Sequence, residues 1–450
     1  MPPLHRRSHP RTPSLFFISF FMAMSFGLFL LGNVCAPAWT ASPGAMGQVV
    51  PPNYDESKAG TFTLPDPLVF NDGTPVKTAQ SWGKRRRTEI LQLLETNVYG
   101  HSPKPPKHIR FQVFDFEREA LGDKAIRKQV TVYFPTPKGE AHEDLLIYIP
   151  AHSPRPVSMI LALNFRGNQS VTADPGVKAA TIWDGKPPMR QQATEESRGS
   201  DKNFEVEKVL ARGYGFATVC YQDIDPDFKE GYKQAGIRQQ FFAPGQTEPG
   251  PDDWGAIGAW AYGLSRAMDY LEKDKDVDAH RVAIMGHSRL GKTVLWAGAQ
   301  DTRFAMVLSN CSGRGGASPW HRHYGETLQS MSRNFPYWFC PNLFKFVDQV
   351  DTLPVDSDEL IALIAPRPVY ITGAQDDQWA DPHGMFMATV AAGPVFKLLG
   401  AEDLGTDQMP GINQPIMHTM AFHIRDGKHA VTAFDWDQFL AFADLHLRAH

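Results

Sequence analysis

Cysteine is scarce in this chain, with four in 450 residues, so no lattice of disulfides can substitute for a packed interior. Charge of one sign is not in excess either. The formal net charge of -4 leaves no broad cationic field of the kind that draws a protein to nucleic acid or anionic membrane. Internal repeats, coiled-coil heptads and low-complexity tracts are absent as well, which excludes solenoids and fibres. What remains is 42% hydrophobic and 21% charged, an ordinary globular composition. The length allows one large domain or two smaller ones.

The N-terminus follows a separate logic. Arg6, Arg7 and Arg11 precede an uninterrupted apolar run from Leu15 to Leu31, and small residues follow at Ala36, Ala38 and Ala41. That order predicts an export signal over residues 1–38, with an uncleaved anchor as the competing reading because the apolar run is long. Lipidation at Cys35 is not expected, since Gly32-Asn33-Val34 lacks the usual small residue just before the cysteine. Removal of the signal leaves Cys220, Cys311 and Cys340, so at most one disulfide can form within the chain.

Residues 39–67 read as an extended arm rich in proline, glycine and polar residues. From 68 to 450 no break divides the chain, and a single domain is expected. Helical spacing of Ile90, Leu91, Leu94 and Val98 predicts a helix over Trp82 to Val98, stopped at Gly100. Apolar runs at Gln129 to Phe134, Leu145 to Pro150, Val157 to Asn164 and Gly215 to Tyr221 predict strands. Helices then alternate with strands: an amphipathic helix over Trp254 to Leu271, a strand at Val282 to Gly286, a helix at Lys292 to Ala299, and strands at Met306 to Ser309 and Pro368 to Gly373. This alternation predicts an α/β fold, a mostly parallel sheet sandwiched by helices in three layers.

The sharpest local signal is Val282-Ala283-Ile284-Met285-Gly286-His287-Ser288-Arg289-Leu290-Gly291-Lys292. An apolar strand runs into a serine with a glycine on either side and then into a helix, the context of a nucleophile elbow in an α/β-hydrolase. The second glycine comes one residue later than in G-x-S-x-G. A plain helix cap is the alternative use of such a serine. An elbow serine needs a late histidine as base, and His429 sits in a polar turn before the last helix. Its rivals His418 and His423 fall in a strand pattern, and His446 and His450 on the terminal helix. The acid should follow the strand Val369 to Gly373, where Asp377, then Asp376, then Asp381 are the candidates.

The chain resembles the glucuronoyl esterases, carbohydrate esterases that cleave esters of 4-O-methylglucuronic acid, and in particular their bacterial members. The resemblance runs through Asn53-Tyr54-Asp55-Glu56, Asp223-Ile224-Asp225-Pro226-Asp227-Phe228, Trp254-Gly255-Ala256-Ile257, the elbow with its late glycine, Phe335-Pro336-Tyr337-Trp338-Phe339-Cys340, Ala365-Pro366-Arg367-Pro368 and Trp379-Ala380-Asp381-Pro382. It implies an α/β-hydrolase fold and a serine esterase needing no cofactor and no metal. It also implies Ser288 as nucleophile, His429 as base and Arg289 as an oxyanion partner. Lys292 and Trp379 would contact the sugar, and Trp320, Arg322 and Glu326 would border the cleft. A packed tryptophan beside a salt bridge is the structural alternative for these last residues.

One departure stands out. Many members carry their acid in a Glu-Ser-Gly segment after the strand that follows the elbow, and here Cys311 occupies the place of that glutamate. Either the later loop supplies the acid through Asp377 or catalysis is impaired. The implied substrate is a lignin–glucuronoxylan ester met outside the cell by a monomer; an acetyl xylan esterase and a catalytically impaired carbohydrate-binding homologue are the alternatives. His321 and His323 form an H-x-H pair with no matching cluster, which is weak evidence for a metal.

Overall fold

The computed structural model describes residues 51–183 and 190–448. The expected export signal, the first part of the arm and His450 lie outside the described residues. Among the described residues no helix is long and apolar enough to cross a membrane.

Ten strands form one sheet: β1 (Arg110–Glu119), β2 (Ala125–Thr136), β3 (Gly139–Pro150), β4 (Val157–Asn164), β7 (Gly215–Cys220), β8 (Val277–His287), β9 (Met306–Asn310), β10 (Val369–Ala374), β11 (Ile416–Met417) and β12 (Met420–Arg425). Two short strands, β5 (Thr181–Trp183) and β6 (Arg190–Gln192), pair antiparallel in a separate sheet. The order across the sheet is β1-β2-β3-β7-β4-β8-β9-β10-β12-β11. The strands β1, β2, β3 and β7 pair antiparallel, the run from β7 to β12 is parallel, and β11 closes the far edge antiparallel.

Every residue of β4, β7, β9, β10 and β12 is buried, as expected where helices cover both faces of a parallel sheet. Side chains divide by the period of two. Met159, Leu161 and Leu163 of β4 enter the larger core, while Ile160 and Ala162 enter the smaller one on the opposite face. Helices Ala256–Leu271, Arg289–Gln300, Ser357–Ala362 and Pro382–Leu398 cover the first face; Val206–Ala211 and Ala433–His446 cover the second. Each fully buried Leu, Ile or Val in these layers contributes roughly 1.5–3 kcal/mol. The three-layer α/β-hydrolase architecture is therefore present.

The helix Ala256–Leu271 departs from the amphipathic expectation, because only Ser265 and Asp269 escape full burial. Rings from other segments pack on it, Phe134 and Phe241 on Tyr262 at 6.0 Å and Phe111 on Tyr270 at 5.4 Å, and at its first turn the Ala256 and Ile257 N–H groups donate to the Tyr337 and Trp338 carbonyls at 2.8 and 3.1 Å. The described part of the arm has no sheet partner but is pinned to the domain. Asn53 Nδ2 donates to the His323 carbonyl at 2.8 Å, and Gly325 N–H donates back to the Asn53 carbonyl at 2.9 Å.

Candidate active site

Parallel strands bring their carboxyl ends to one edge, the usual place for a site in an α/β sheet. Here the ends of β8, β9, β10 and β12, four strands adjacent in the sheet, are followed by Ser288, Cys311, Asp377 and His429. The sheet thus collects residues from 288 to 429 within one row of loops.

Ser288 adopts φ 58° and ψ -126°, a conformation rare for a residue with a side chain and characteristic of a strained elbow. The glycines around it are required by contact. A Cβ on Gly286 would lie 2.0 Å from the Leu290 carbonyl oxygen, and one on Gly291 would lie 2.9 Å from that of Asn310. Gly291, the late glycine, lets the helix Arg289–Gln300 press against β9. The Ser288 N–H donates to the Asn310 carbonyl at 2.9 Å.

His429 Nδ1 lies 2.6 Å from Asp377 Oδ2. The imidazole is 39% exposed and the carboxylate 5%, so the ring faces solvent while its partner is enclosed. Two backbone bonds zip their loops together: Gln375 N–H to the Arg425 carbonyl at 2.9 Å and Asp376 N–H to that of Gly427 at 3.0 Å. Asp376 itself is exposed. Asp381 is buried and committed elsewhere, capping the helix Pro382–Leu398 and accepting from Arg322 and Ser318.

Behind this pair, His287 stacks obliquely on His429 with ring centroids 4.5 Å apart. Burial, together with the neighbouring His429, pulls the His287 pKa down to about 3. A neutral ring whose Nδ1 lies 2.7 Å from Asn310 Oδ1 donates its proton there. Cys311 has φ 47°, and its sulfur lies within 4.8 Å of an Asp377 carboxylate oxygen and a His429 ring nitrogen. Burial, then the charge of Asp377, push that thiol far up, so it stays protonated beside the carboxylate.

On the other side of the serine, Arg289 points its guanidinium at Asp227 and lies 5.1 Å from the Trp338 ring. Asp227 also accepts from Tyr221 at 2.7 Å, from Tyr337 at 3.0 Å and from Trp338 Nε1 at 2.8 Å. One enclosed carboxylate therefore anchors four donors. Lys292 is buried and donates to the Ser312 carbonyl at 2.7 Å and to Glu326 at 3.3 Å. Burial lowers its pKa, and Glu326 offsets that only in part. The Glu326 N–H donates to the Trp379 carbonyl at 2.9 Å, which ties Trp379 into the same corner.

Comparison with known proteins bears on this arrangement. A family model described as "Glucuronyl esterase, fungi" matches residues 235–400. Carbohydrate esterase MZ0003, from an unknown prokaryotic organism, is 44% identical over 419 residues, covering 92% of this chain and 96% of that protein. The chain belongs to the glucuronoyl esterase family. Solved relatives agree: a glucuronoyl esterase from Solibacter usitatus superposes with a TM-score of 0.84 at 48% identity, covering 87% of this chain and 100% of that one. An esterase of the same carbohydrate esterase family 15 from a marine bacterial metagenome, titled promiscuous, gives 0.82 at 45% identity over 88% and 100%. As a glucuronoyl esterase family member, the chain is a carboxylic ester hydrolase.

Within this family member, the residues singled out from sequence divide into two groups. Ser288, Arg289, Lys292, Asp377 and His429 lie at one row of strand ends, where His429 meets Asp377 and Lys292 meets Glu326. Trp379 is 37% exposed. Trp320 and Arg322 instead lie inside, 1% and 3% exposed: Trp320 packs on Phe339 at 5.7 Å, and Arg322 pairs with Asp381 and Glu56. Cys311 and Cys340 are both free and buried, the latter with its thiol 3.7 Å from the Thr96 carbonyl. His321 is held by Asp356 and the Leu353 carbonyl. Sequence reasoning assigned no part to Asp227, Tyr337 or Trp338. The signal available was that an arginine beside an elbow serine requires an anion to aim it.

Proposed function

We propose that this chain hydrolyses esters of 4-O-methylglucuronic acid through an acyl-enzyme, with Ser288 as nucleophile, His429 as general base and Asp377 as the acid of the triad. The observation that carries the reading is the 2.6 Å contact of His429 Nδ1 with the enclosed Asp377 carboxylate, at the same edge of the sheet as an elbow serine. A carboxylate accepts only, so the proton sits on Nδ1 and leaves Nε2 free as the base.

In the first step Ser288 Oγ attacks the uronate carbonyl while His429 Nε2 takes its proton. The tetrahedral oxyanion meets the Arg289 guanidinium and the backbone N–H of Arg289, which opens a helix and has no carbonyl of that helix to bond. The alcohol leaves with the proton from His429. Water, deprotonated by the same imidazole, then releases the uronate. Lys292, Glu326 and Trp379 would hold the sugar, and none of these steps asks for a metal or organic cofactor. The natural alcohol in this reading is a lignin unit on glucuronoxylan, encountered by an exported monomer.

Hydrolysis of benzyl glucuronate by the purified protein tests the reading, beside a Ser288→Ala variant checked for an unchanged melting temperature. The expected result is turnover in the parent and its loss, by about 10⁶ in kcat, in the variant. Turnover within tenfold of the parent would refute Ser288. A broader ester range is the second reading, favoured by the marine relative's description as promiscuous. Faster hydrolysis of an acetylated xylo-oligosaccharide than of benzyl glucuronate would decide for it.

A further inference from the structure

His429 rides on a turn, residues 426–432, that forms neither helix nor strand. Its hydrogen bond to Asp377 sets the direction of the ring, but a bond at the tip of a side chain does not fix the backbone that carries it. The Asp376 N–H holds the Gly427 carbonyl, two positions short of the base. The rest of the restraint comes from the end of β12. Arg425, 3% exposed, turns its guanidinium back on the turn. Nη2 donates to the Lys428 carbonyl at 2.7 Å and to the Ala430 carbonyl at 2.6 Å, and Nη1 donates to the Asp426 carbonyl at 2.8 Å. One nitrogen thus grips the carbonyls on either side of His429. The planar fork of arginine makes this possible, whereas the single ammonium of a lysine could not span the same acceptors.

The guanidinium is itself aimed. Nε donates to Asp435 Oδ2 at 2.9 Å, and Asp435 is fully buried in the first turn of the helix Ala433–His446. The same carboxylate accepts from the Thr432 N–H and hydroxyl, each at 2.7 Å, from His423 Nε2 at 3.0 Å and from Asn310 Nδ2 at 3.1 Å. Asn310 leads on to the nucleophile, because its carbonyl accepts the Ser288 N–H at 2.9 Å. A continuous run of hydrogen bonds therefore joins the backbone around the base to the backbone of the elbow, through Arg425, Asp435 and Asn310 and without passing through Asp377. A buried ion pair is weak evidence for stability; this one is distinguished by where its remaining donors and acceptors go.

We propose that Arg425, aimed by Asp435, is a positioning residue for the general base: it fixes where the His429 backbone stands relative to Ser288, and leaves to Asp377 the direction of the ring. Arg425 acts through His429 and not by contact with the substrate. The proposal rests on the esterase reading above, in which His429 is the base.

Arg425→Lys keeps a buried cation beside Asp435 but gives up the grip on the flanking carbonyls. Its kcat on benzyl glucuronate is expected to fall about 10²-fold, the size of a misplacement of about 1 Å at a reacting group, with KM within about threefold of the parent. Asp435→Asn leaves the guanidinium and its three carbonyls in place, and its kcat should fall about tenfold. Proton magnetic resonance of the same samples gives a readout independent of turnover. The low-field signal of His429 Nδ1–H on Asp377, identified by its loss in Asp377→Asn, should shift or broaden in Arg425→Lys. A kcat within about threefold of the parent in both variants, a rise in KM that matches the fall in kcat, or an unaltered low-field signal would each overturn the proposal. Failure of the parent to hydrolyse benzyl glucuronate would refute the esterase reading instead, whereas an active parent beside equally active variants would refute the positioning role alone.

Discussion

The loops after β9 and β10 end side by side and reach the same imidazole, but only one delivers a carboxylate. One sulfur of Cys311, one oxygen of Asp377 and one nitrogen of His429 all lie within 4.8 Å of each other. The β9 loop supplies a buried thiol that its surroundings keep protonated; the β10 loop supplies an enclosed carboxylate in contact with Nδ1. The sheet thus offers two posts from which a histidine after β12 can be oriented, and their chemistry differs more than their position. Asp377→Asn is the most severe way to break that comparison. The amide retains the shape but donates to Nδ1, which imposes the wrong tautomer, and kcat on benzyl glucuronate is expected to fall about 10⁴-fold. A loss under tenfold would return the search to the exposed Asp376.

The two sides of the serine invite the same contrast. On one, a single carboxylate aims an imidazole; on the other, Asp227 aims a guanidinium and is itself fixed by Tyr221, Tyr337 and Trp338. Asp227→Asn retains the volume but removes the charge that locates Arg289. The expectation is a fall of about 10²-fold in kcat with a smaller change in KM, the size of losing one oxyanion donor. Steady-state kinetics of Asp227→Asn, Arg289→Gln and the double variant form a cycle, in which the second substitution should add little. Full additivity would show that Asp227 acts independently of Arg289.

The paired histidines sharpen the comparison in pH rather than in rate. A His287 pKa held at about 3 in the fold, against an ordinary value near 6.5, means that the unfolded chain binds a proton which the folded one refuses. Stability from this residue is complete above pH 6.5 and declines as pH falls towards 3, by up to about 1.4 kcal/mol per unit. Asp223 and Glu359, both raised to about 7, act in the opposite direction, so the difference between parent and variant is the informative quantity. Urea unfolding at pH 6.5 and 4.5 should show a smaller acid loss in His287→Asn. An identical loss would mean that His287 already takes up its proton in the folded protein.

Much of this was legible in the sequence, because the relevant signals are local. The elbow is eleven consecutive residues, and the buried parallel strands are apolar runs bounded by turns. The edge strand Arg110–Glu119 was not legible: its side chains are largely exposed, and an open edge needs no hydrophobic alternation. Nor were the paired strands Thr181–Trp183 and Arg190–Gln192, which are three residues each. The burial of the helix Ala256–Leu271 draws on Phe111 and Phe134, more than a hundred positions away, and the anchoring of Arg289 depends on Asp227, 62 positions away. Trp320 and Arg322 carry the composition of a cleft wall, but their partners Phe339, Asp381 and Glu56 come from distant segments. Periodicity reports which face of an element is apolar; it does not report which distant loop covers that face.

The smallest expected effect comes from Cys311→Ala, and it tests the opening comparison most directly. If the β10 loop alone supplies the acid, deleting the thiol removes one neighbour of Asp377 and leaves a small gap, since the residue is buried. Turnover should then stay within about threefold of the parent, at a stability cost of about 1 kcal/mol. Circular dichroism melting and benzyl glucuronate kinetics on the same preparation separate the two. A fall in kcat of a hundredfold without loss of stability would mean that Asp377 is correctly placed only while the thiol stands beside it, so that both strand ends act as one unit.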